Sequence, residues 1–313
     1  MCRFLREVRA DVSYDRTFLM TLIAADAAQR VGVPNISTIV TDPMHGFRSV
    51  AGRFQSVKRQ RLRKLYSQSA YVVANSSGAA RSAESFYRLA PQSVATLYNG
   101  VDIEAVLQKS SIKIDYEWWN ATGSGKRVFR IVTAGRLNRE KGFHLLVDAI
   151  DRLRALHPDV DFRLAILGEG DGRQTLEAQV IGLQLQDAVR LPGFRDEAPA
   201  WYKSADLFVL PSFFEGMPNV LLEAMACETA VLSTACPSGP AEILVDGRFG
   251  ALCPTGNVTA LAAEIEKFVT DASHSNRYTS VAADHVRQNF SISTSAARLG
   301  DLLETAAATR QAE

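Results

Sequence analysis

Short apolar runs alternate with amphipathic segments from residue 127 onward. RVFRIVTAG and DFRLAILG have the continuous apolar pattern of buried parallel strands. Between them, KGFHLLVDAIDRLRAL repeats apolar residues at helical spacing from Phe143 to Leu156. The alternation continues through AVRLPG, DLFVLPS, TAVLST and GALCP, with helices predicted over about 172–182 and 257–270. Repeated β–α units of this length predict a parallel sheet with helices on both faces, which is a doubly wound, Rossmann-like domain.

Residues 11–98 repeat this rhythm more weakly, through DVSYD, NISTIVT, AYVVAN and SVATLYNG. The polar segment 104–126 is typical of a linker, and the last forty residues are predicted to be helical. The sequence therefore predicts an α/β fold of two doubly wound domains, over 1–115 and 116–275, followed by a helical segment over 276–313. Such sheets bind ligands beyond the carboxyl ends of their strands, so we expect a site in the cleft between the domains.

The composition is typical of a globular chain, because 47% of its 313 residues are hydrophobic and 22% are charged. The sequence contains no run of eighteen uncharged apolar residues, so it predicts no membrane-spanning helix. The first residues, MCRFLREVRADV, lack the apolar core of a signal peptide. The four cysteines are scattered, without a CxxC pair, which favours reduced thiols in a cytoplasmic protein over a metal or disulfide site.

Charge is distributed unevenly, although the net charge is only +1. Residues 1–120 hold 16 Lys and Arg against 10 Asp and Glu. Much of the excess lies in a predicted basic helix over 48–64, whose cations are Arg48, Arg53, Lys58, Arg59, Arg61, Arg63 and Lys64. A solvated face and a surface for an anionic partner both fit this pattern. We expect no nucleic-acid partner.

The stretch FFEGMPNVLLEAMA places two glutamates, Glu215 and Glu223, around a predicted helix start. Pro218 suits a first helical position, and the amides of Asn219 and Val220 would then be free to bind an anion. Glu223 lies among apolar residues, where an unpartnered carboxylate is costly. Its partner could be the hydroxyl groups of a ribose, as for the acidic residue of dinucleotide sites, or a cation on a neighbouring helix.

A second candidate is TAGRLNREKGF, at the end of the strand that begins near 127. Arg136 and Lys141 flank a strand–loop–helix junction, and Gly135 permits close approach of a ligand. Two cations beside a helix start suit a diphosphate, although solvated surface charge is the alternative. GEGDG lacks the full GxGxxG spacing of a nicotinamide site, which makes a dehydrogenase a distant alternative. DVD precedes a strand, at the wrong edge of the sheet for a metal site.

These motifs resemble a known family. EGMPNVLLE fits the E-x7-E motif of retaining GT-B glycosyltransferases, specifically glycosyltransferase family 4. The likeness extends over roughly residues 11–290, through VVANSS, LYNGVD, GRLNREKGFHLLVDAI, GEGDGR, LPGF, ADLFVLPSFFEGMPNVLLEAMACETAVLSTACPSGPAEIL and GALCP. It implies the GT-B architecture of two Rossmann-like domains, of which the N-terminal one is incomplete here. Because the chain starts at a strand that the family reaches later, the first strands and a glycine-rich loop are expected to be missing.

The resemblance also implies residue roles. Arg136 and Lys141 would hold the donor diphosphate, Glu215 would contact the donor sugar, and Glu223 would accept hydrogen bonds from the ribose. The family's N-domain histidine corresponds best to His45, with Asp42 as the alternative. The remaining donor contacts would come from Gly135 beside the diphosphate, Phe194 and Arg195 beside the base, and Gly216, Met217, Pro218, Asn219 and Val220 beside the sugar and phosphate.

The implied reaction is transfer of a hexose or N-acetylhexosamine from a nucleotide-diphosphate sugar, with UDP favoured, without a metal or other cofactor. No second carboxylate is evident beside Glu215 for a covalent intermediate, so same-face attack fits retention better. PSGPAEIL resembles enzymes of surface polysaccharide synthesis, with glycan or lipid-linked acceptors, and the basic helix 48–64 then suggests a peripheral position on an anionic inner membrane face. The alternative is a truncated remnant that binds the nucleotide sugar without catalysis.

Overall fold

The computed structural model describes residues 1–121 and 125–311, with the backbone alone at 48–50 and 311. Its first domain holds a four-stranded parallel sheet in the order β1-β2-β3-β4. The strands are β1 (Ser13–Arg16), β2 (Asn35–Ile39), β3 (Tyr71–Ala74) and β4 (Val94–Thr96). The helices are α1 (Cys2–Glu7), α2 (Phe18–Arg30), α3 (Pro43–Ala51), α4 (Gln55–Gln68) and α5 (Ser77–Tyr87). Whether this sheet lacks strands that the family has elsewhere stays a prediction.

The single basic helix predicted over 48–64 is wrong, because this stretch forms the end of α3 and most of α4. The chain breaks between them at Gly52 and Phe54, which both have positive φ, 59° and 62°. Gly accepts that conformation at little cost, and it ends α3 as a helix C-terminus commonly does. Leu62, Leu65 and Tyr66 are the buried residues of α4, whereas Arg63 and Lys64 are exposed.

The segment predicted as a polar linker over 104–126 is largely folded. It forms α6 (Ile103–Ser110) and α7 (Glu117–Asn120), and residues 122–124 lie outside the described part. Val106, Ile114 and Trp119 are buried in a core that they share with the second domain. Trp119 donates through Nε1 to Ser204 Oγ at 2.9 Å. The segment was predicted to be a linker because polar residues outnumber these few apolar ones. The predicted domain boundaries stay predictions, but the chain joins the second core from Val101 onward.

The second domain contains a six-stranded parallel sheet in the order β10-β9-β8-β5-β6-β7. Its strands are β5 (Arg127–Ala134), β6 (Val160–Leu167), β7 (Val189–Gly193), β8 (Leu207–Leu210), β9 (Val231–Thr234) and β10 (Ala251–Cys253). The helices that cover it are α8 (Phe143–Leu156), α9 (Arg173–Gly182), α10 (Ala198–Ser204), α11 (Asn219–Ala226), α12 (Pro240–Ile243) and α13 (Val258–Thr270). Apolar side chains fill both faces of the sheet, which confirms the doubly wound prediction.

The C-terminal helices return the chain to the first domain. They are α14 (Ala272–Asn276), α15 (Thr279–Asn289) and α16 (Ile292–Gln311). Helix α15 packs against α11 in the second domain. Helix α16 covers the first sheet, where Ala306 is buried with Ile36, Val73 and Leu97. Within the described residues, no helix combines the length and the apolar character needed to cross a bilayer.

We expect Gly142→Ala to lower the free energy of unfolding by about 2 kcal/mol or more, because a side chain is strained at positive φ. Gly142 has φ 67°, and an added Cβ would lie 2.0 Å from the carbonyl oxygen of Pro211. Urea unfolding followed by circular dichroism measures the change. The control is Gly182→Ala, where an added Cβ meets nothing within 4 Å. Equal stability of the two variants would contradict the prediction.

Candidate functional site

The order of the second sheet reverses at β5. The chain runs outward from β5 through β6 and β7, and then returns to the other side of β5 with β8 and continues through β9 to β10. The loops that follow β5 and β8 therefore leave the carboxyl edge in opposite directions and open a crevice between them. Open α/β sheets bind their ligands at this switch point. The two motifs singled out in the sequence, one carrying Lys141 and the other Glu215, follow these two strands.

An ion pair joins the two loops across the crevice. Lys141 Nζ lies 2.7 Å from Glu215 Oε1, and Ser212 Oγ donates to the same oxygen at 2.6 Å. The Glu215 side chain is only 8% exposed and that of Lys141 20%. The backbone amide of Phe213 also donates to the carbonyl of Glu140 at 2.8 Å. The carboxylate that the sequence predicted as catalytic is thus buried, neutralised and held in one position.

Two cavities meet at this crevice. The larger, of about 840 Å³, lies against α6 and α10, and the smaller, of about 430 Å³, lies between the two domains. Four residues line both cavities: Gly135 and Arg136 after β5, and Asn219 and Val220 at the start of α11. The amides of a first helical turn lack intrahelical acceptors. Arg136 is exposed, and no carboxylate in the described residues pairs with it. The junction therefore offers a free cation and helix amides, which together suit an anion.

The large cavity holds Glu223 on its wall. Glu223 is half-buried and lies beside the hydroxyl of Tyr202. Burial raises the pKa of Glu223, and the charge of Lys109 and the hydrogen bond from Tyr202 oppose that rise. The described residues contain no ion-pair partner for Glu223, so the salt bridge considered as an alternative is not formed. Its carboxylate faces open space instead.

Other predicted residues of the large cavity lie at its rim. Phe194 is 75% exposed, and Arg195 beside it lines the same cavity. An exposed ion pair crosses nearby, from Lys109 on α6 to Asp196 at 2.6 Å. An exposed aromatic ring beside a cavity offers a stacking surface for a planar ligand.

The small cavity is lined by both domains. The second domain contributes Lys141 and the run Glu215 to Val220, in which Pro218 is the N-cap of α11, one position earlier than predicted. The first domain contributes the ends of its strands: Arg16, Val40, Thr41, Asn75 and Asn99. Asn75 is 2% exposed; its Nδ2 donates to Val40 O at 2.9 Å, and its Oδ1 has no hydrogen-bond partner. A second carboxylate, Glu140, also lines this cavity, where Asn138 Nδ2 donates to it at 2.9 Å.

His45 lies beside the small cavity but is not among the described residues that line it. Its ring stacks on Phe214, with 5.7 Å between the centroids, and its Nδ1 is 3.3 Å from Asp42 Oδ1. Asp42 is 3% exposed and caps α3 by accepting from the amide of Met44 at 2.9 Å. Thr41, which the sequence analysis did not single out, occupies the wall instead.

The residues that sequence reasoning missed are Tyr202, Lys109, Arg16, Thr41, Asn75 and Asn99. Tyr202 on α10 and Lys109 on α6 precede Glu223 by 21 and 114 residues, and nothing in their local pattern marks them. The other four follow first-domain strands, and the rule that ligands bind at carboxyl strand ends was the available signal.

Two family profiles match the chain. The profile described as glycosyl transferases group 1 matches residues 128–271, and that described as glycosyltransferase family 4 matches residues 1–105. Together they span most of the chain and correspond to its second and first domains.

Curated relatives are similar over part of their length. An N-acetylgalactosaminyltransferase of Campylobacter jejuni, whose name gives a diacetylbacillosaminyl-diphospho-undecaprenol acceptor, is 31% identical over 66% of this chain and 53% of its own. The D-inositol 3-phosphate glycosyltransferase of Pseudarthrobacter chlorophenolicus is 29% identical over 78% of this chain and 59% of its own. The chain thus spans about half the length of these relatives.

Solved structures show the same fold. The HepE protein of Anabaena in complex with UDP superposes with a TM-score of 0.80, at 21% identity, over 97% of this chain and 80% of its own. Sucrose-phosphate synthase of Thermosynechococcus elongatus gives a TM-score of 0.79, at 19% identity, over 98% and 76% of the two chains. The two parallel-sheet domains therefore have the GT-B architecture that the motifs implied.

We expect Lys141→Met to lower the free energy of unfolding by about 3 kcal/mol, because it leaves the Glu215 carboxylate buried without its cation. Lys141→Met combined with Glu215→Gln should cost less than the sum of the two single changes by about 1–3 kcal/mol. Urea unfolding of the four chains gives this coupling energy. The control is Lys203→Met, whose ion pair with Glu228 is about half exposed and should cost under about 1 kcal/mol. Equal costs for the two lysines would show that the buried pair is not coupled.

Proposed function

We propose that the chain, whose two domains match the profiles of glycosyltransferase family 4 and of group 1 glycosyl transferases, transfers a hexose or N-acetylhexosamine from a nucleotide-diphosphate sugar, with UDP as the nucleotide, to a glycan or lipid-linked acceptor. The observation that supports this most is the pair of cavities with a shared wall. A nucleotide sugar consists of a nucleoside and a sugar joined by a diphosphate. The large cavity, the junction and the small cavity follow one another in that order.

The junction supplies the groups that a diphosphate needs. Arg136 is a free cation, and the first turn of α11 presents the amides of Asn219 and Val220. The positive end of the helix dipole adds to both. As the bond to the sugar breaks, negative charge develops on the leaving diphosphate, and fixed positive groups stabilise it. This arrangement supports transfer without a metal.

The large cavity suits the nucleoside. Glu223 can accept hydrogen bonds from the two ribose hydroxyls, which would satisfy a half-buried carboxylate. Tyr202 holds the carboxylate from the other side. Phe194 and Arg195 flank the space left for the base. HepE, which has the same fold, is a protein whose structure contains UDP, and this favours UDP here.

The small cavity suits the transferred sugar, with Glu215 beside its anomeric carbon. We propose retention of the anomeric configuration by same-face attack. Lys141 and Ser212 hold the Glu215 carboxylate in place. It is therefore better placed to stabilise an oxocarbenium-like state than to move as a nucleophile. Glu140 is the other carboxylate on this wall. A covalent intermediate in hydrolytic retaining enzymes needs two carboxylates about 5 Å apart. Replacement of Glu140 therefore also tests same-face attack, which requires no second carboxylate.

The relatives support this acceptor class. The Campylobacter jejuni relative is named for a diphospho-undecaprenol-linked acceptor. We therefore propose that the reaction belongs to surface polysaccharide or lipid-linked glycan synthesis and takes place on the cytoplasmic side of the membrane.

We expect the protein to bind UDP and Glu223→Ala to weaken that binding about 10- to 100-fold, as for loss of a hydrogen bond to a charged group. Calorimetric titration with UDP, GDP and ADP measures this. The control is Glu228→Ala, an exposed glutamate just beyond the same helix. Transfer from UDP-sugars to a lipid-linked acceptor is assayed on the same samples. Binding without transfer would favour the non-catalytic remnant, and no binding of any nucleotide would refute the donor site.

The basic side of α4 supports a peripheral membrane position. Arg53, Arg63 and Lys64 are exposed, and Phe54 and Val57 beside them are 72% and 65% exposed. The side chain of Arg48 lies outside the described residues, and Lys58 donates to Ala51 O at 2.5 Å. Arg59 donates to Phe86 O at 2.8 Å and Arg61 pairs with Asp26. We propose that the three exposed cations and the two apolar side chains contact anionic lipid headgroups.

We expect Arg53→Ser, Arg63→Ser and Lys64→Ser together to lower binding to phosphatidylserine vesicles about 100-fold, since each cation near the surface contributes about 1 kcal/mol. Sedimentation with vesicles at low and at physiological salt measures the partition. The charge-matched control replaces three exposed cations of the second domain, Lys113, Lys126 and Arg190. Equal binding by both triple variants would exclude this surface.

A further inference from the structure

The segment PSGPAE, residues 237–242, contacts both domains, and we call it the clasp segment. On one side it supports the loop of Glu215, whose amide donates to Pro237 O at 3.3 Å. The backbone at Gly239 is also packed against this loop, since a Cβ there would lie 2.8 Å from Gly216 O. On the other side the clasp segment reaches the first domain at two places.

Glu242 makes the first of these contacts. Its carboxylate accepts from the amide of Ser77 at 2.8 and 3.0 Å, and from that of Gly78 at 3.4 Å. The hydroxyl of Tyr98 donates to it at 2.6 Å. Ser77 and Gly78 are the first two residues of α5, and the side chain of Ser76 caps the third amide, at Ala79. A carboxylate of one domain thus completes the N-terminal cap of a helix in the other.

Ser238 makes the second contact. Its hydroxyl donates to Asp42 Oδ2 at 3.2 Å. Asp42 also accepts from Ser82 Oγ at 2.6 Å, so it links the clasp segment to both α3 and α5. Ser238 has φ 66°, a conformation that costs energy for a residue with a side chain and persists only where neighbouring contacts hold it.

These two contacts fall beside the first-domain wall of the small cavity. Glu242 binds the chain two residues after Asn75, and Ser238 binds the residue after Thr41. Asn75 and Thr41 line the small cavity, whereas no residue of the clasp segment is among the described residues that line either cavity. The clasp segment can therefore set the position of this wall without contacting a ligand.

We infer that Glu242 is a positioning residue for the transfer step, which holds the first-domain loops of Asn75 and Thr41 against the sugar bound beside Glu215. The inference rests on the proposed function for its catalytic consequence. The large cavity is built by the second domain and by α6, so binding of the nucleotide does not depend on this contact. Loss of Glu242 affects turnover and leaves nucleotide affinity intact.

The test compares Glu242→Gln and Glu242→Ala with wild type. We expect the UDP dissociation constant to stay within about twofold, and kcat to fall about 100-fold, as when positioning groups shift by about 1 Å. The control is Glu228→Gln, on the exposed surface. A merely structural role for Glu242 would instead lower stability and UDP affinity together with kcat. Unchanged kcat in Glu242→Ala would overturn the inference.

A second variant opens the contact without altering Glu242. Gly78 packs against the clasp segment, and a Cβ on it would lie 2.8 Å from the Cα of Ser238. Gly78→Ala favours the helix by propensity but should separate the two segments and lower kcat as Glu242→Ala does. Gly182→Ala is the control. Wild-type kcat in Gly78→Ala would contradict the inference.

Hydrogen exchange separates this inference from the proposed function. The amides of Ser77 and Gly78 should exchange at least about tenfold faster in Glu242→Ala than in wild type, since their acceptor is gone. Mass spectrometry of peptides from the start of α5 measures this without any substrate. If wild type transfers no sugar but exchange responds as expected, the proposed function fails while the contact stands. Unchanged exchange would refute the contact itself.

Discussion

The reversal of strand order at β5 is the constraint on which the site depends. In a parallel sheet that continued in one direction, the loops after adjacent strands would turn the same way and cover the carboxyl edge. Because the chain returns to place β8 beside β5, the two loops diverge and leave a crevice. Arg136 and Lys141 come from one loop, and Glu215 and the start of α11 come from the other. Their juxtaposition follows from topology, whatever the length of chain between them.

The Lys141–Glu215 pair shows how that crevice is kept rigid. A buried carboxylate is tolerated only with partners, and here a cation and the hydroxyl of Ser212 both bind the same oxygen. The pair also closes the two divergent loops on each other, so that the junction between the cavities has a fixed width. Arg136, which has no carboxylate partner among the described residues, carries the unbalanced positive charge. Charge is thus balanced in the small cavity and unbalanced at the junction of the two cavities.

Much of the fold and of the candidate site was predictable from local sequence. The features that were not predicted each have an identifiable physical reason. The second-domain strands are continuous apolar runs, and the glutamates of the E-x7-E motif follow one of them directly. The linker prediction failed because burial of Trp119 and Val106 depends on a tertiary surface that local polarity does not reveal. The stretch 48–64 was predicted as one continuous helix because cations recur along all of it. The backbone nevertheless breaks at Gly52. Glu242 contacts the other domain and Asn75 lines the cavity between the domains, and no periodicity within either domain reports such positions.

The two cavities differ in how they depend on the domains: the large one lies against the second domain and α6, whereas the small one lies between the domains. The chain crosses between the two domains at Val101 and again near Ser291, and these two crossings form a β-bridge with each other. The amide of Val101 donates to Phe290 O at 2.8 Å, and the amide of Ile292 donates to Val101 O at 2.9 Å. Paired crossings confine relative motion of the domains to one place, as a hinge does. Away from this hinge, the domains meet through the clasp segment, through His45, which stacks on Phe214, and through Asn99, which donates to Asn219 Oδ1 at 3.0 Å. These contacts adjoin the small cavity, so a change in domain angle alters the small cavity first and the large cavity least.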